Sequence, residues 1–448
     1  MTARRPTAAR AAVLAVAAAV VVGAVAAGAV DRAATVREVA ERVEPTGGDL
    51  AVVFDVGDVD ADVVRATDRV AGRIGATASV SRSGSLGMRR IARDGEFVHG
   101  PPSGWLTPMV YVSLPRGSIG RVMGSDVSAV LGADSVVMNE VTAQLTGAQE
   151  GDVIEMQAAD GTPVPLTIAG IRPYDQIGWA EIAFTYDVAR RLGATADTRA
   201  VVYGIDDRQA FDAAVRAEGL DTRQDTKVNR SWDPPDPDDT LSTARTKVAL
   251  GEPWYRFAAT GTLETHPSWR ATYLTDERVL LNETIRIRAR CHVDVVDGLR
   301  SALAEVAAAG LAGAIDVANA NAFGGCYVPR FSRVSGQIGF LSRHTYGMAL
   351  DTNTTSNCAG CRPRMDCEVV RIFRRNGFAW GGNFRRPDGM HFEWVGEPRD
   401  QIAYPSRYCP NLVDARSPTE SVGDPGVLGN GALVAGGDAM NHDHAHGS

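Results

Sequence analysis

The chain of 448 residues has no excess of basic side chains. It contains 46 Lys and Arg residues against 54 Asp and Glu residues, and its net charge at pH 7 is −8. A nucleic-acid-coating protein needs a concentrated basic surface, so this balance argues against a nucleic-acid partner. Disordered chains have few hydrophobic residues, whereas 44% of the residues here are hydrophobic. This composition excludes a disordered protein. Its length suits about three domains of roughly 150 residues each.

Cysteine is absent from the first 290 residues, and all six cysteines lie in the C-terminal part of the chain: Cys291, Cys326, Cys358, Cys361, Cys367 and Cys409. An even number in one region predicts disulfides if the compartment is oxidising, although the sequence leaves the pairing open. The spacing C-x2-C-x5-C could instead hold a structural zinc ion, with His292 beside Cys291 as a further ligand. We favour disulfides, because the N-terminus indicates export.

Residues 11–30 form a run without charged side chains, and Arg4, Arg5 and Arg10 precede it. Twenty helical residues span roughly 30 Å, the thickness of the hydrocarbon core of a bilayer. The basic flank predicts that the N-terminus stays in the cytoplasm and that the bulk of the chain lies outside. Residues 1–30 are therefore predicted to be a single-pass membrane anchor of a cell-membrane protein. If they are instead a cleaved signal segment, the protein is secreted.

Residues 31–224 are predicted to form a mostly β, α+β accessory module outside the cytoplasm. Strand-like runs alternate with turns, and Asp160-Gly161 marks a hairpin between two of them. The stretch 135–171 resembles the extracytoplasmic module of lipoprotein-release type ABC permeases. The resemblance implies a docking, spacer or sensing role, with an unknown protein partner, since the module carries no catalytic constellation.

The remaining chain divides by composition. Residues 225–254 are rich in Pro and Asp, which predicts a linker or extended strap without regular elements. Residues 255–412 contain the cysteines and two amphipathic helical patterns, typical of an α+β domain in which helices back an antiparallel sheet. Residues 413–448 are poor in large apolar side chains, which predicts a disordered tail.

Two histidine-containing stretches of the 255–412 domain carry the chemistry. As strands, they place His344 and Asp351 near one another and put His391 and Glu393 on one face, opposite apolar side chains. Two histidines and one carboxylate with an open fourth position are typical of a catalytic zinc ion. A nearby carboxylate must then move the proton, and spacing leaves Asp388 and Glu393 as alternatives.

The joint pattern Ser342-x-His344-x-x-Gly347-x-Ala349-x-Asp351 and Asp388-x-x-His391-Phe392-Glu393 resembles VanY/VanX-type zinc D-Ala-D-Ala carboxypeptidases and phage endolysin L-Ala-D-Glu peptidases. The resemblance spans residues 322–396. It implies that one zinc ion binds to His344, Asp351 and His391 and that Asp388 is the catalytic acid/base. It also implies that Arg330 steadies the substrate carbonyl, and that Ser342 and Glu393 support the ligands. The Cys-bearing loop after Asp351 departs from the family pattern.

The resemblance implies a zinc metallopeptidase that hydrolyses an amide bond in peptidoglycan stem peptides through a zinc-activated water. The sequence leaves open whether it is a carboxypeptidase or an endopeptidase. The alternative is a non-catalytic cell-envelope sensing or binding protein, in which a peptidase-like domain grips wall peptides without cutting them.

Overall fold

The structure is a computed structural model that describes residues 49–55, 58–223, 226–275, 278–280, 286–288, 290–316, 323–332 and 340–413. The predicted membrane anchor and nearly all of the predicted tail lie outside these residues. In the part of the chain that is described, no helix is long and apolar enough to cross a bilayer.

The described residues form a mixture of strands and helices. The strands are β1 (Asp49–Phe54), β2 (Thr77–Arg93), β3 (Glu96–His99), β4 (Thr107–Leu114), β5 (Ser135–Asn139), β6 (Val153–Gln157), β7 (Pro163–Arg172), β8 (Ile182–Thr185), β9 (Arg199–Ile205), β10 (Lys227–Arg230), β11 (Tyr255–Phe257), β12 (Leu263–Thr265), β13 (Leu274–Thr275), β14 (Arg278–Leu280), β15 (Arg286–Arg288), β16 (Cys291–His292), β17 (Phe323–Gly325), β18 (Ala349–Thr352), β19 (Phe378–Trp380) and β20 (His391–Trp394). The helices are α1 (Ala61–Ile74), α2 (Arg116–Val122), α3 (Ser125–Val130), α4 (Glu140–Thr146), α5 (Tyr186–Leu192), α6 (Arg208–Ala217), α7 (Thr243–Leu250), α8 (Pro267–Tyr273), α9 (Val293–Ala308) and α10 (Cys367–Arg375).

The first ten strands form one sheet in the order β10-β1-β9-β2-β4-β8-β5-β7-β6, with β3 on β2. Strand β2 also pairs with β6, so that six strands from β2 to β6 close into a ring. Along β7, every second side chain of the first six residues is buried. This alternation is expected of a strand whose one face lines the interior of a closed sheet. Strands β6 and β7 form the hairpin expected at Asp160-Gly161. Six helices accompany these strands between residues 49 and 223, so the α+β prediction for this region is confirmed.

A second, four-stranded antiparallel sheet has the order β17-β18-β20-β19. Helices α9 and α10 pack in the same hydrophobic core as this sheet. The predicted stripe of α9 is buried at Leu299, Ala302, Leu303 and Val306, because these positions recur on one face of a 3.6-residue period. The expected helix-backed antiparallel sheet is present.

The expectation that residues 225–254 form no regular element is wrong for two parts of this stretch. Lys227–Arg230 is strand β10 of the large sheet, and Thr243–Leu250 is helix α7, whose N-terminus is capped by Ser242. Pro234, Pro235 and Pro237 lie in the irregular piece between them and Pro253 follows α7, so none of these prolines interrupts a hydrogen-bond ladder. Asp236 and Asp238 in this piece are buried rather than solvated, and arginines of the C-terminal domain bind the Asp238 carboxylate and the Asp239 carbonyl.

Candidate metal centre

His344 lies in a 3₁₀ turn, Arg343–Tyr346, that is fixed at both ends. The Ser342 hydroxyl accepts a hydrogen bond from the His344 backbone N–H at 3.3 Å, and Gly347 ends the turn with φ of 67°. The His344 side chain is oriented by its Nδ1 atom, which is 3.1 Å from the carbonyl oxygen of Cys326. Its Nε2 atom therefore faces the other way, 3.3 Å from a carboxylate oxygen of Asp351.

Asp351 and His391 are directly opposite one another on the antiparallel strands β18 and β20. Paired residues on one face of a sheet bring their side chains together, and the Nδ1 atom of His391 lies 3.1 Å from Asp351 Oδ1. The predicted alternation of β20 is therefore correct for His391, while Phe392 points into the apolar core.

The three side chains form one buried cluster. One ligand atom from each of His344, Asp351 and His391 lies within 4.8 Å of the others. Ligands that are about 2.0–2.2 Å from a tetrahedral zinc ion stand about 3.3 Å from each other, and the carboxylate of Asp351 lies at 3.1 and 3.3 Å from the two imidazoles. The donor types and their spacing fit zinc.

The charges within the cluster also favour a cation. Burial raises the pKa of Asp351, but the charge of His344 and hydrogen bonds with both histidines outweigh burial and hold the pKa well below its usual range. Burial lowers the pKa of His391, but Asp351, Glu393 and the charge of Asp388 raise it to about 10. The surrounding carboxylates thus hold a positive charge in this pocket, as a divalent cation requires.

Asp388 lies in the loop that leads into β20, and it is 1% exposed. Its backbone N–H donates to the carbonyl of Gly381 at 2.8 Å, and its carbonyl accepts from the N–H of His391 at 3.1 Å. A Cβ atom on Gly381 would be 2.7 Å from the Asp388 oxygen and 3.0 Å from the Cβ of His391. Glycine is thus required here, because the loop packs its backbone directly against residue 381.

Glu393 lies behind His391. One of its carboxylate oxygens is 3.5 Å from His391 Nε2, and the other is 3.2 Å from the Nε atom of Arg343. The two histidines therefore present opposite ring nitrogens to Asp351. The remaining nitrogen of His344 is hydrogen-bonded to the Cys326 carbonyl, and that of His391 faces the Glu393 carboxylate. This arrangement places Glu393 where it can orient the His391 side chain.

Arg330 and Ser342 are neighbours in the structure. The Ser342 N–H donates to the Arg330 carbonyl at 3.0 Å, and the Arg330 N–H donates to the hydroxyl of Thr345 at 2.9 Å. The backbone of Arg330 thus runs beside the turn that carries His344.

The six cysteines form three disulfides, Cys291–Cys326, Cys358–Cys361 and Cys367–Cys409. The predicted disulfide framework is confirmed, and the alternative of a structural zinc ion bound by cysteines is wrong. His292 has a different role, because its side chain accepts from the N–H of Asp294 and caps helix α9. The loop closed by Cys358–Cys361 adjoins the site, since Gly360 N–H donates to the carbonyl of Pro387.

Both histidine stretches lie in a segment that is similar to known proteins. Residues 335–394 match the D-alanyl-D-alanine carboxypeptidase family. The match confirms the resemblance seen in the sequence and shows that the C-terminal region holds a peptidase-like domain. This carboxypeptidase-like domain carries all three cluster residues and Asp388, while Arg330 precedes the matched segment.

Other comparisons add little about function. No curated protein matches the chain. A solved structure of the extracellular domain of the noncanonic ABC-type transporter YknZ from Gram-positive bacteria is 11% identical, with a TM-score of 0.26 over 40% of this chain and 98% of that chain. ABC transporters are the class that the stretch 135–171 resembles, but a TM-score this low shows neither fold nor function.

Two features of the site are missing from the sequence interpretation. The Cys326 carbonyl that orients His344 gives no signal in the sequence, because every residue has a carbonyl. Arg343 occupies the variable position of the Ser342-x-His344 pattern, so the resemblance assigns it no role, yet it lies against Glu393. The one signal in the sequence that could have indicated a role for Arg343 is its position directly before His344, a residue of the predicted zinc site.

Proposed function

We propose that the carboxypeptidase-like domain is a zinc-dependent hydrolase that cuts an amide bond in peptidoglycan stem peptides. The observation that carries this proposal is the convergence of His344, Asp351 and His391 in one buried cluster beside Asp388. His344, Asp351 and His391 would hold the ion. When bound, zinc supplies Lewis acidity, which polarises a scissile carbonyl and makes water a nucleophile at neutral pH.

The residues of the chain have separate tasks in this reaction. Asp388 takes the proton of the attacking water and returns it to the leaving amine, as a general base that becomes a general acid. Arg330 places a fixed positive charge near the carbonyl oxygen, where negative charge develops. Glu393 and the Cys326 carbonyl hold the two imidazoles in their orientations.

We also propose that the domain acts outside the cytoplasm, anchored by residues 1–30, where its substrate lies. Three disulfides support this location, because disulfides persist in oxidising compartments and are rare in the cytosol. The cut bond is either D-Ala-D-Ala or L-Ala-D-Glu, since both chemistries use the same ligand set.

The test is digestion of isolated muropeptides by the purified protein, followed by mass spectrometry. We expect one product series whose lost mass names the bond, and we expect no product with a chelator or with the His391→Ala variant. A protein that binds zinc stoichiometrically and binds the peptide, but does not cleave it, would refute the hydrolase and favour the wall-binding alternative. Activity that persists in the chelated protein and in the His391→Ala variant would also refute it.

A further inference from the structure

Three arginines of the C-terminal domain are fully buried at its contact with one piece of the preceding chain, residues 236–246, which we call the strap. Arg374 binds Asp238 through two nitrogens, at 2.9 and 2.5 Å. Arg399 donates to the carbonyl of Asp239. Arg343 donates to the carbonyl of Leu241 and, at 2.8 Å, to the hydroxyl of Thr246.

Of these three arginines, Arg343 also reaches the metal centre. Its Nη atoms bind the strap, and its Nε atom faces the opposite side, 3.2 Å from Glu393. Arg343 is 1% exposed and Glu393 is 0% exposed, so water does not screen the attraction between them. Glu393 in turn contacts Nε2 of His391, whose Nδ1 faces Asp351.

We propose that Arg343 is a positioning residue of the metal centre: it fixes the Glu393 carboxylate against His391, and the strap fixes Arg343. A planar guanidinium with five donors in rigid geometry can hold several acceptors at once, whereas an ammonium group acts as a point charge. The inference rests on the proposed function, since it assigns Arg343 to the site where zinc would bind. It also makes the strap part of the catalytic unit.

The physical effect of removing Arg343 follows from this arrangement. Without the guanidinium, the Glu393 carboxylate loses the charge that fixes its direction, and His391 loses a fixed acceptor at Nε2. Partners of this kind, which do not touch the metal, typically change metal affinity by about 10–100-fold when mutated. Arg343 and Glu393 are both buried, so their loss should change substrate binding less than turnover.

The experiment compares the full-length proteins carrying Arg343→Gln and Arg399→Gln. Both variants lose a buried arginine that binds the strap, but the Arg399 guanidinium contacts the Asp239 carbonyl and the Glu397 carboxylate rather than Glu393. Zinc affinity is measured by competition with a chromophoric chelator, and stability by thermal unfolding of the metal-free proteins. We expect Arg343→Gln to weaken zinc binding about 10-fold, and Arg399→Gln to keep the affinity within about twofold while losing similar stability.

Kinetics give a second measurement on the same proteins. We expect Arg343→Gln to lower kcat with KM nearly unchanged. Arg343→Lys should lose less, because lysine keeps the positive charge although it lacks the planar guanidinium with its several donors. If Arg343→Gln does not fold, Thr246→Val provides a milder variant, since it removes one acceptor of Arg343 and leaves the guanidinium in place. Glu393→Gln should weaken zinc binding too, and its effect should not add to that of Arg343→Gln.

The outcomes separate this inference from the proposed function. Equal zinc affinity in Arg343→Gln and Arg399→Gln overturns the role of Arg343 and leaves the hydrolase intact. Zinc binding by the unaltered protein without peptide cleavage overturns the hydrolase, while the comparison of zinc affinities still decides the role of Arg343. An unaltered protein that binds no zinc overturns both.

Discussion

The Nδ1 atom of His344 lies 3.1 Å from the carbonyl oxygen of Cys326, and Cys326 is joined to Cys291 by a disulfide. Cys291 lies in β16, immediately before helix α9. The disulfide therefore ties the carbonyl that orients a cluster histidine to a rigid element of the core. In this protein a covalent cross-link supports the geometry of the candidate metal centre directly, besides restricting the unfolded chain.

This relationship predicts that Cys291→Ala with Cys326→Ala weakens zinc binding about 10-fold, because His344 loses its fixed partner. The control is Cys367→Ala with Cys409→Ala. The two bridges have similar sequence separations, 35 and 42 residues, so each pair of substitutions should cost a similar ~4 kcal/mol of stability. Chelator competition measures the affinity, and denaturant unfolding measures the stability. Zinc affinities that fall equally in both variants would contradict the prediction.

The Cys358–Cys361 bridge should contribute less to stability than the other two. Its cysteines are separated by only 3 positions, and closing so short a loop removes little entropy from the unfolded chain, about 2 kcal/mol against about 4 for Cys367–Cys409. We expect Cys358→Ala with Cys361→Ala to show this smaller loss in denaturant unfolding. Turnover should nevertheless fall, since Gly360 binds the carbonyl of Pro387, next to Asp388. A stability loss as large as that of the Cys367–Cys409 variant would rule this out.

Asp388→Asn should separate zinc binding from turnover. Asparagine keeps the shape of the side chain and the backbone hydrogen bonds of the loop, but it cannot accept and return a proton. We expect zinc affinity within a few-fold of the unaltered protein and a kcat lower by roughly 10²–10⁴-fold. Asp297→Asn, at an exposed position on α9, is the control and should leave both unchanged. Full activity of Asp388→Asn would show that another group moves the proton.

Part of the cluster was predictable, because Asp351 and His391 lie on neighbouring strands whose side chains alternate, whereas His344, expected on a strand, lies in a 3₁₀ turn. Asp351 and His391 are cross-strand partners, and this pairing follows from two short patterns that the sequence displays. The disulfide framework was predictable from the cysteine count, but the pairing was not. The pairing depends on which loops meet in space, and no local pattern records that.

The strap could not be predicted from composition. A run of Pro and Asp is typical of a solvated linker, and the sequence shows nothing of the buried arginines that neutralise it. Arg374 and Arg399 are 136 and 160 residues from their partners in the strap, so these contacts exist only after folding. The closure of the first sheet through β2 and β6 is long-range in the same way.

Asp236 in the strap should make stability depend on pH. Burial, together with the charges of Asp239 and Asp238, raises its pKa to about 7. The folded state thus binds a proton more tightly than the unfolded state, where the pKa is about 3.9. The contribution of Asp236 to stability is fully present below pH 4 and is lost as the pH rises through 7.

Asp236→Asn removes this dependence, because the amide is uncharged at every pH and can still accept from the N–H of Asp238. We expect the variant and the unaltered protein to unfold at similar temperatures near pH 4, and the variant to be more stable at pH 8, by up to roughly 4 kcal/mol. Thermal unfolding of both proteins across this range gives the difference. A difference that stays constant from pH 4 to 8 would contradict the assignment.

Gly381→Ala should impair the site while leaving the fold in place. The added methyl group would lie 2.7 Å from the backbone oxygen of Asp388 and 3.0 Å from the Cβ of His391, and a backbone oxygen cannot move aside without its loop. We therefore expect Asp388 and His391 to shift together, with a loss of turnover that can reach about 10²-fold for a displacement of 1 Å. The control is Gly72→Ala in α1, where a Cβ meets nothing within 4 Å and alanine favours the helix. Turnover measured beside far-ultraviolet circular dichroism separates a displaced site from an unfolded one, and an active Gly381→Ala protein would show that the Asp388 loop does not need its present position.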